Sequence, residues 1–260
     1  MEIMTIAVLK HHTHNIGDDI QRLALEALLP HVDLRIDRDD MSLIKKFDSD
    51  TKLIVNGWFA KQTHKVYPIQ TKAQVLYIGF HANDDDVIPL KPQSPVGCRD
   101  LWTFELCRQK NVPAWLSWCA TLTLQWERPT KRNNILLADI FEKDLDSVPK
   151  NIIQAAKRVT HEIDPLLDRN SEALKRLELY ASAQLVITKR LHAMLPCLAM
   201  GTPVVFVTPT FGIHRFDFYR DLAWTPENAP WNEMRPKVSR EYINGMSVSF
   251  QKTLDGFLKS

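Results

Sequence analysis

The chain has 260 residues, of which 45% are hydrophobic and 25% charged, proportions that suit a folded globular protein and exclude a disordered one. Its 33 basic and 31 acidic side chains leave a formal net charge of +2, too balanced for a nucleic-acid binder, so no nucleic-acid partner is expected. The four cysteines, Cys98, Cys107, Cys119 and Cys197, are irregularly spaced with no C-x-x-C pair and read as reduced, buried thiols.

Met1 to Leu9 is only briefly apolar and carries Glu2. Without a basic leader and a long apolar region it reads as a first strand and not a signal peptide, and a cytoplasmic location is expected. The next loop holds His11, His12 and His14, then Asn15-Ile16-Gly17-Asp18. No metal is assigned to these histidines, because no carboxylate or cysteine set accompanies them. Ile20, Leu23, Ala24, Ala27 and Leu28 recur at helical spacing, which predicts an amphipathic helix with Asp18 as N-cap and with Asp19 and Glu26 on its polar side.

Short apolar runs follow at Val32 to Ile36, Leu53 to Val55 and Val75 to Ile78, and Phe104, Leu106 and Cys107 mark a helix after Arg99. The polar, proline-containing stretch Gln125 to Asn134 reads as a linker. It divides the chain near Arg128 into an N-terminal half, 1–128, and a C-terminal half, 129–260. The second half continues with strands at Ile135 to Ala138, Leu185 to Ile187 and Val204 to Val207. It also has a helix through Ala173, Leu174, Leu177 and Tyr180, an apolar helix from His192 to Met200, and a turn at Gly201-Thr202-Pro203. Tyr242, Met246, Phe250, Leu254, Phe257 and Leu258 predict a closing helix. Short buried strands alternating with helices argue for an α/β fold with parallel sheets. The longest apolar stretch, Leu191 to Val207, is broken by His192, Pro196, Gly201 and Pro203 and is shorter than the roughly 20 residues of a bilayer span, so no membrane span is expected.

Arg190 and His192 stand at the hinge between a buried strand and an apolar helix. In open α/β sheets ligands bind beyond the carboxyl ends of the strands, where helix N-termini offer unpaired N–H groups to anions. On residue chemistry alone two readings of the pair stand: an anion site, or a surface ion pair at Arg190 beside a helix-opening His192.

Three stretches in order resemble the polysaccharide pyruvyl transferase family. Arg190-Leu191-His192 with Gly201-Thr202-Pro203 is similar to its C-terminal signature, Asn15-Ile16-Gly17-Asp18 to its N-x-G-D loop, and Cys98-Arg99-Asp100-Leu101-Trp102-Thr103 to its Arg-Asp/Glu-x-x-Thr helix start. Where many members carry a Gly-rich loop, this chain has Asn56-Gly57-Trp58-Phe59. The resemblance implies two Rossmann-like halves facing across a cleft, a GT-B-type architecture. It also implies transfer of the enolpyruvyl unit of phosphoenolpyruvate to a sugar, giving a pyruvate ketal and phosphate, with no cofactor.

Under that resemblance Arg99, Arg190 and His192 bind the donor, and His192 and Arg190 serve catalysis, with His192 as general acid. Asn15, Asp18, His14, His214 and Arg215 are candidate contacts to the acceptor, a sugar or lipid-linked glycan, although helix capping explains Asp18 equally well. Composition leaves room for peripheral contact with a polysaccharide assembly complex. A nucleotide-sugar glycosyltransferase of the same architecture and a non-catalytic carbohydrate-binding scaffold are the alternative readings.

Overall fold

A computed structural model describes residues 4–60, 70–84, 87–89, 92, 94–126, 129, 132–164, 166–209 and 213–260. The division expected near Arg128 lies outside the described residues. The first elements are β1 (Thr5–Lys10), α1 (Gly17–Glu26), β2 (Leu34–Asp37), β3 (Thr51–Phe59), β4 (Gln74–Ala82), β5 (Val96–Cys98), α2 (Leu101–Gln109) and β6 (Ala114–Leu116). Then come β7 (Ile135–Ala138), α3 (Lys150–Ala155), β8 (Ala156–Val159), α4 (Arg169–Ser182), β9 (Leu185–Thr188), α5 (Leu191–Met200), β10 (Val204–Phe206), α6 (Asp217–Arg220) and α7 (Arg240–Lys259).

The strands form two parallel sheets, one ordered β2-β1-β3-β4-β5-β6 and the other β10-β9-β7-β8. This is the α/β class expected from the alternating apolar runs. In each sheet the second strand lies to one side of the first and the third to the other, so the strand order reverses at β1/β3 and again at β7/β9. Such reversals open a crevice at the strands' carboxyl ends.

The chain divides into two compact units. The first comprises Met1–His12, Gln21–Ala120 and Met246–Ser260, and the second comprises Thr13–Ile20 and Thr121–Gly245. The first unit packs Ala7, Leu9, Leu53, Val55, Val75, Tyr77 and Phe80 into its core. Leu137, Leu185, Ile187 and Val205 from three adjacent strands make up much of the second core, together with Ile152. Among the described residues no helix is long and apolar enough to cross a membrane. All four cysteines are free thiols and buried.

Several local expectations are corrected. Helix α1 starts at Gly17, so Asp18 lies in its first turn and not at the N-cap; Asn15 Oδ1 accepts the Gly17 N–H at 2.8 Å instead. Asp19, expected on a polar face, is only 2% exposed because Arg169, 150 residues away, bonds to it. Leu174, expected in the core, is 45% exposed, while Ala173, Leu177 and Tyr180 on the same helix are buried. Strands β5 (Val-Gly-Cys), β6 (Ala-Trp-Leu) and β8 (Ala-Lys-Arg-Val) were not legible, because none is the unbroken aliphatic run that marks the similarly short β7 and β9.

Apolar helix α5 ends on Gly201 at φ +64°, the left-handed position that glycine fills without steric cost. Gly97 in β5 is needed for space: an added β-carbon would lie 2.7 Å from the Tyr77 carbonyl oxygen and 3.0 Å from Ser117 Cβ. Backbone cannot swing aside as a flexible side chain does. Gly97→Ala is therefore expected to lower unfolding free energy by about 2 kcal/mol, measured by chemical denaturation; an unchanged midpoint would refute this account of the β4/β5 packing.

Candidate active site

At the carboxyl ends of β7 and β9, where the strand order of the second sheet reverses, stand Asp139 and the turn Lys189-Arg190. Asp139 adopts φ +53°, a left-handed conformation that Asp tolerates better than most residues. Its carboxylate accepts from Arg190 Nε at 2.8 Å, from Thr160 Oγ1 at 2.7 Å and from the His161 backbone N–H at 3.1 Å. Burial pulls the Asp139 carboxyl upward, but the bonds from Thr160 and His161 and the charge of Arg190 hold it below the usual carboxylate range. Arg190 Nη2 also lies 3.7 Å from Glu162, and the Arg190 side chain is 33% exposed. Arg190 is thus an ion-paired guanidinium at the switch point, as the second of its sequence readings expects.

Arg190 is the N-cap residue of α5, with Ala193 and Met194 donating to its carbonyl. His192 lies in the first turn with non-helical angles, φ −83° and ψ 15°, and is buried. Residues 13–20 join this unit through several hydrogen bonds. Ile16 N–H donates to His161 O at 2.9 Å, Ile163 N–H donates to His14 O at 3.0 Å, and Asn15 forms an antiparallel bridge with Glu162. The Arg169–Asp19 pair, at 2.6 Å, fixes the first turns of α1 and α4 to one another.

These constraints gather three polar atoms around Gly17. A β-carbon there would sit 3.1 Å from Asn15 Oδ1, 3.2 Å from His192 Nδ1 and 3.3 Å from His161 Nδ1. Gly17 is thus the residue that leaves room among them. His161 is fully buried, and its Nε2 lies 2.6 Å from the Tyr180 hydroxyl. Burial pushes the His161 imidazole down to about 4, helped by Arg190 and Arg176 and opposed by Asp139 and Asp18, so the ring is neutral near pH 7.

In the first unit, Arg99 and Asp100 follow β5. Asp100 caps α2: its Oδ1 accepts the Thr103 N–H at 3.0 Å and the Thr103 hydroxyl at 2.8 Å. Its Oδ2 lies 2.6 Å from His81 Nδ1 and 3.5 Å from Arg99 Nε. Burial alone would raise the Asp100 carboxyl, but His81 and Arg99 hold it down to about 2. The Arg-Asp-x-x-Thr spacing therefore has a structural cause, since the Asp and Thr close the helix end that carries the buried Arg99.

The sequence-derived residues divide as follows. Asn15, Arg190 and His192 are gathered in the second unit. His14 is exposed and Asp18 half-buried in the same segment. His214 and Arg215 occupy a 3-10 turn, Ile213–Phe216, with Arg215 4.6 Å above the Phe216 ring, and are not among the groups nearest Gly17. His11, His12 and His14 do not form one cluster: His11 is buried next to Gly57, while His12 is exposed and 3.4 Å from Asp37. The sequence reading missed Asp139, His161, Tyr180 and His81. The only available signal was an acidic residue directly after an apolar strand, at Asp139.

Because folded His161 takes a proton only near pH 4 and an unfolded histidine near 6.5, acid in that window favours the unfolded chain. Unfolding free energy is expected to be unaffected by this group above pH ~6.5 and to fall as pH drops toward ~4, by about 3 kcal/mol at most. Chemical denaturation across that range, wild type against His161→Asn, checks it; equal pH slopes would contradict a neutral buried ring.

A family profile described as polysaccharide pyruvyl transferase matches residues 15–210. No functionally curated protein sequence matches the chain. Among solved structures, a functionally uncharacterised protein from Klebsiella pneumoniae subsp. pneumoniae NTUH-K2044 is similar in fold, with a TM-score of 0.50 and 14% identity over 83% of this chain and 88% of that one. The wall teichoic acid polymerase TagF aligns with a TM-score of 0.39 and 12% identity over 98% of this chain and 84% of that one.

Proposed function

We propose that this chain, which belongs to the polysaccharide pyruvyl transferase family, moves the enolpyruvyl unit of phosphoenolpyruvate onto a sugar of a cytoplasmic polysaccharide or glycan precursor. The observation that carries the reading is the placement of Arg190 and His192 at the β7/β9 switch point, with Asn15 and Gly17 alongside His192. Phosphoenolpyruvate is a compact anion with a carboxylate and a phosphate, and it calls for a guanidinium fork and helix N-termini. Asp139 holds one edge of Arg190 and so orients the other edge toward such a donor.

The reaction forms a bond from one sugar oxygen to C2 of the enol, with that hydroxyl's proton passing to a base, while the methylene carbon takes a proton from a general acid and becomes a methyl group. A second hydroxyl then attacks C2, the C2–O bond to phosphate breaks, and a proton leaves with phosphate or a base. His192 is the proposed proton donor, since imidazole exchanges protons near neutral pH. The family motif extends a donor-binding role to Arg99. Asn15, Asp18, His14, His214 and Arg215 are proposed acceptor contacts, with the acceptor a free sugar or a lipid-linked glycan.

Calorimetric titration with phosphoenolpyruvate tests the reading, with a panel of nucleotide sugars as control. Arg190→Ala is expected to weaken phosphoenolpyruvate binding about tenfold or more. His192→Ala is expected to lower kcat by about a hundredfold or more with the fold intact. Unchanged binding and turnover in both variants would remove the proposed site. Binding of a nucleotide sugar but not phosphoenolpyruvate would move the assignment to glycosyl transfer.

A further inference from the structure

Of the three side chains nearest Gly17 among the described residues, His161 is the one that no motif singles out. Its ring is 0% exposed, and among the described residues its Nδ1 has no hydrogen-bond partner. That nitrogen lies 3.3 Å from the point where a Gly17 β-carbon would be, beside the first turn of the ten-residue helix α1. A buried polar atom without a partner destabilises the fold. A polar atom left unmatched in this way calls for a partner that the described residues do not supply.

The tautomer follows from counting partners. Tyr180 OH is bonded to His161 Nε2 alone among the described residues. If Nε2–H donated to Tyr180, the phenol proton and the Nδ1 lone pair would both be left buried and unmatched. If Tyr180 O–H donates to Nε2, one group alone is left over, an N–H at Nδ1. The second arrangement leaves fewer unsatisfied atoms and turns Nδ1 into a donor. Tyr180 itself is fully buried at the end of α4 and cannot turn its hydroxyl to water.

We propose that His161 Nδ1–H is an uncharged hydrogen-bond donor to a phosphate oxygen of the substrate at the Gly17 turn, and that Tyr180 is a positioning residue that sets its tautomer. The identity of the phosphate rests on the pyruvyl transferase reading; the donor role does not, since any phosphoryl oxygen would take the bond. Cationic Arg190 supplies charge at this place, and His161 supplies direction. A neutral ring keeps its single N–H aimed by the Tyr180 bond, whereas a lysine or arginine would bring a second charge beside Arg190.

The test uses isosteric amides. Asparagine places its NH2 near where Nδ1 stands, whereas glutamine reaches the Nε2 position and leaves Nδ1 empty. Inorganic phosphate and phosphoenolpyruvate are titrated separately into wild type, His161→Asn, His161→Gln and Tyr180→Phe. His161→Asn is expected to bind phosphate within about threefold of wild type, and His161→Gln about tenfold more weakly. Tyr180→Phe is expected to weaken phosphate binding several-fold.

A second readout is spectroscopic: a nitrogen–proton correlation spectrum of wild type with labelled histidine is expected to show His161 protonated at Nδ1, and Tyr180→Phe to mix the two forms. An Nε2–H tautomer in wild type, equal phosphate affinity for the Asn and Gln variants, or no phosphate binding by wild type would each overturn the inference. Wild-type binding of phosphate but not of phosphoenolpyruvate, with the Asn/Gln difference intact, would support the His161 role while sinking the pyruvyl transferase reading.

Discussion

The carboxylate of Asp139 is the constraint on which the second unit's site depends. It terminates β7 in a left-handed turn and accepts from Arg190 Nε, Thr160 Oγ1 and the His161 N–H. One anion thereby joins three segments that follow three different strands. Its side chain is only 8% exposed, so these bonds act where water screens them little, and removing the carboxylate would leave a half-buried guanidinium without its partner. His161 in turn carries the loop onto which residues 14–16 are hydrogen-bonded. The position of Gly17 relative to His192 is thus set at second hand by Asp139.

Much of this was legible in the sequence, for reasons that differ by element. The buried strands at 135–138, 185–188 and 204–206 are near-continuous β-branched and leucine runs, the pattern of a sheet covered on both faces. Arg190 and His192 were legible because a charged residue and an imidazole interrupt an otherwise apolar segment. Gly17 was legible only as part of a motif. Its actual role, leaving space among three polar atoms, is a property of the folded neighbourhood and of residues near 161 and 192.

The residues that escaped detection share a cause. His161 follows β8, whose sequence Ala-Lys-Arg-Val is half charged and half-exposed, so nothing marked the loop after it as a strand end. Tyr180 sits on the apolar face of α4, where an aromatic ring reads as core; only its 2.6 Å contact with His161 shows that the hydroxyl has a task. His81 lies inside an apolar strand and meets Asp100, 19 residues away, at 2.6 Å. Asp19 was misread for the same reason in reverse, since its partner Arg169 comes from a distant helix. Periodicity reports burial, and it carries no information on which polar atoms tertiary contact will pair.

The charge arrangement at the Gly17 turn bears on the proposed reaction, in which one site would both hold an anion and deliver a proton. A site built only of cations would bind phosphate strongly but would oppose placing a further positive charge on an adjacent imidazole. Here Arg190 is already matched by Asp139 at Nε, with Glu162 3.7 Å from Nη2 on the same edge, and His161 is neutral. The local positive charge is therefore modest, and in the proposed reaction the anionic donor would itself supply counter-charge for the proton that His192 delivers. Under that proposal binding and proton transfer would be coupled by the substrate's own charge. On the proposed reading a directional neutral donor, a tethered guanidinium and a helix N-terminus would together give the anion a fixed orientation without a cationic field that would persist once phosphate has left.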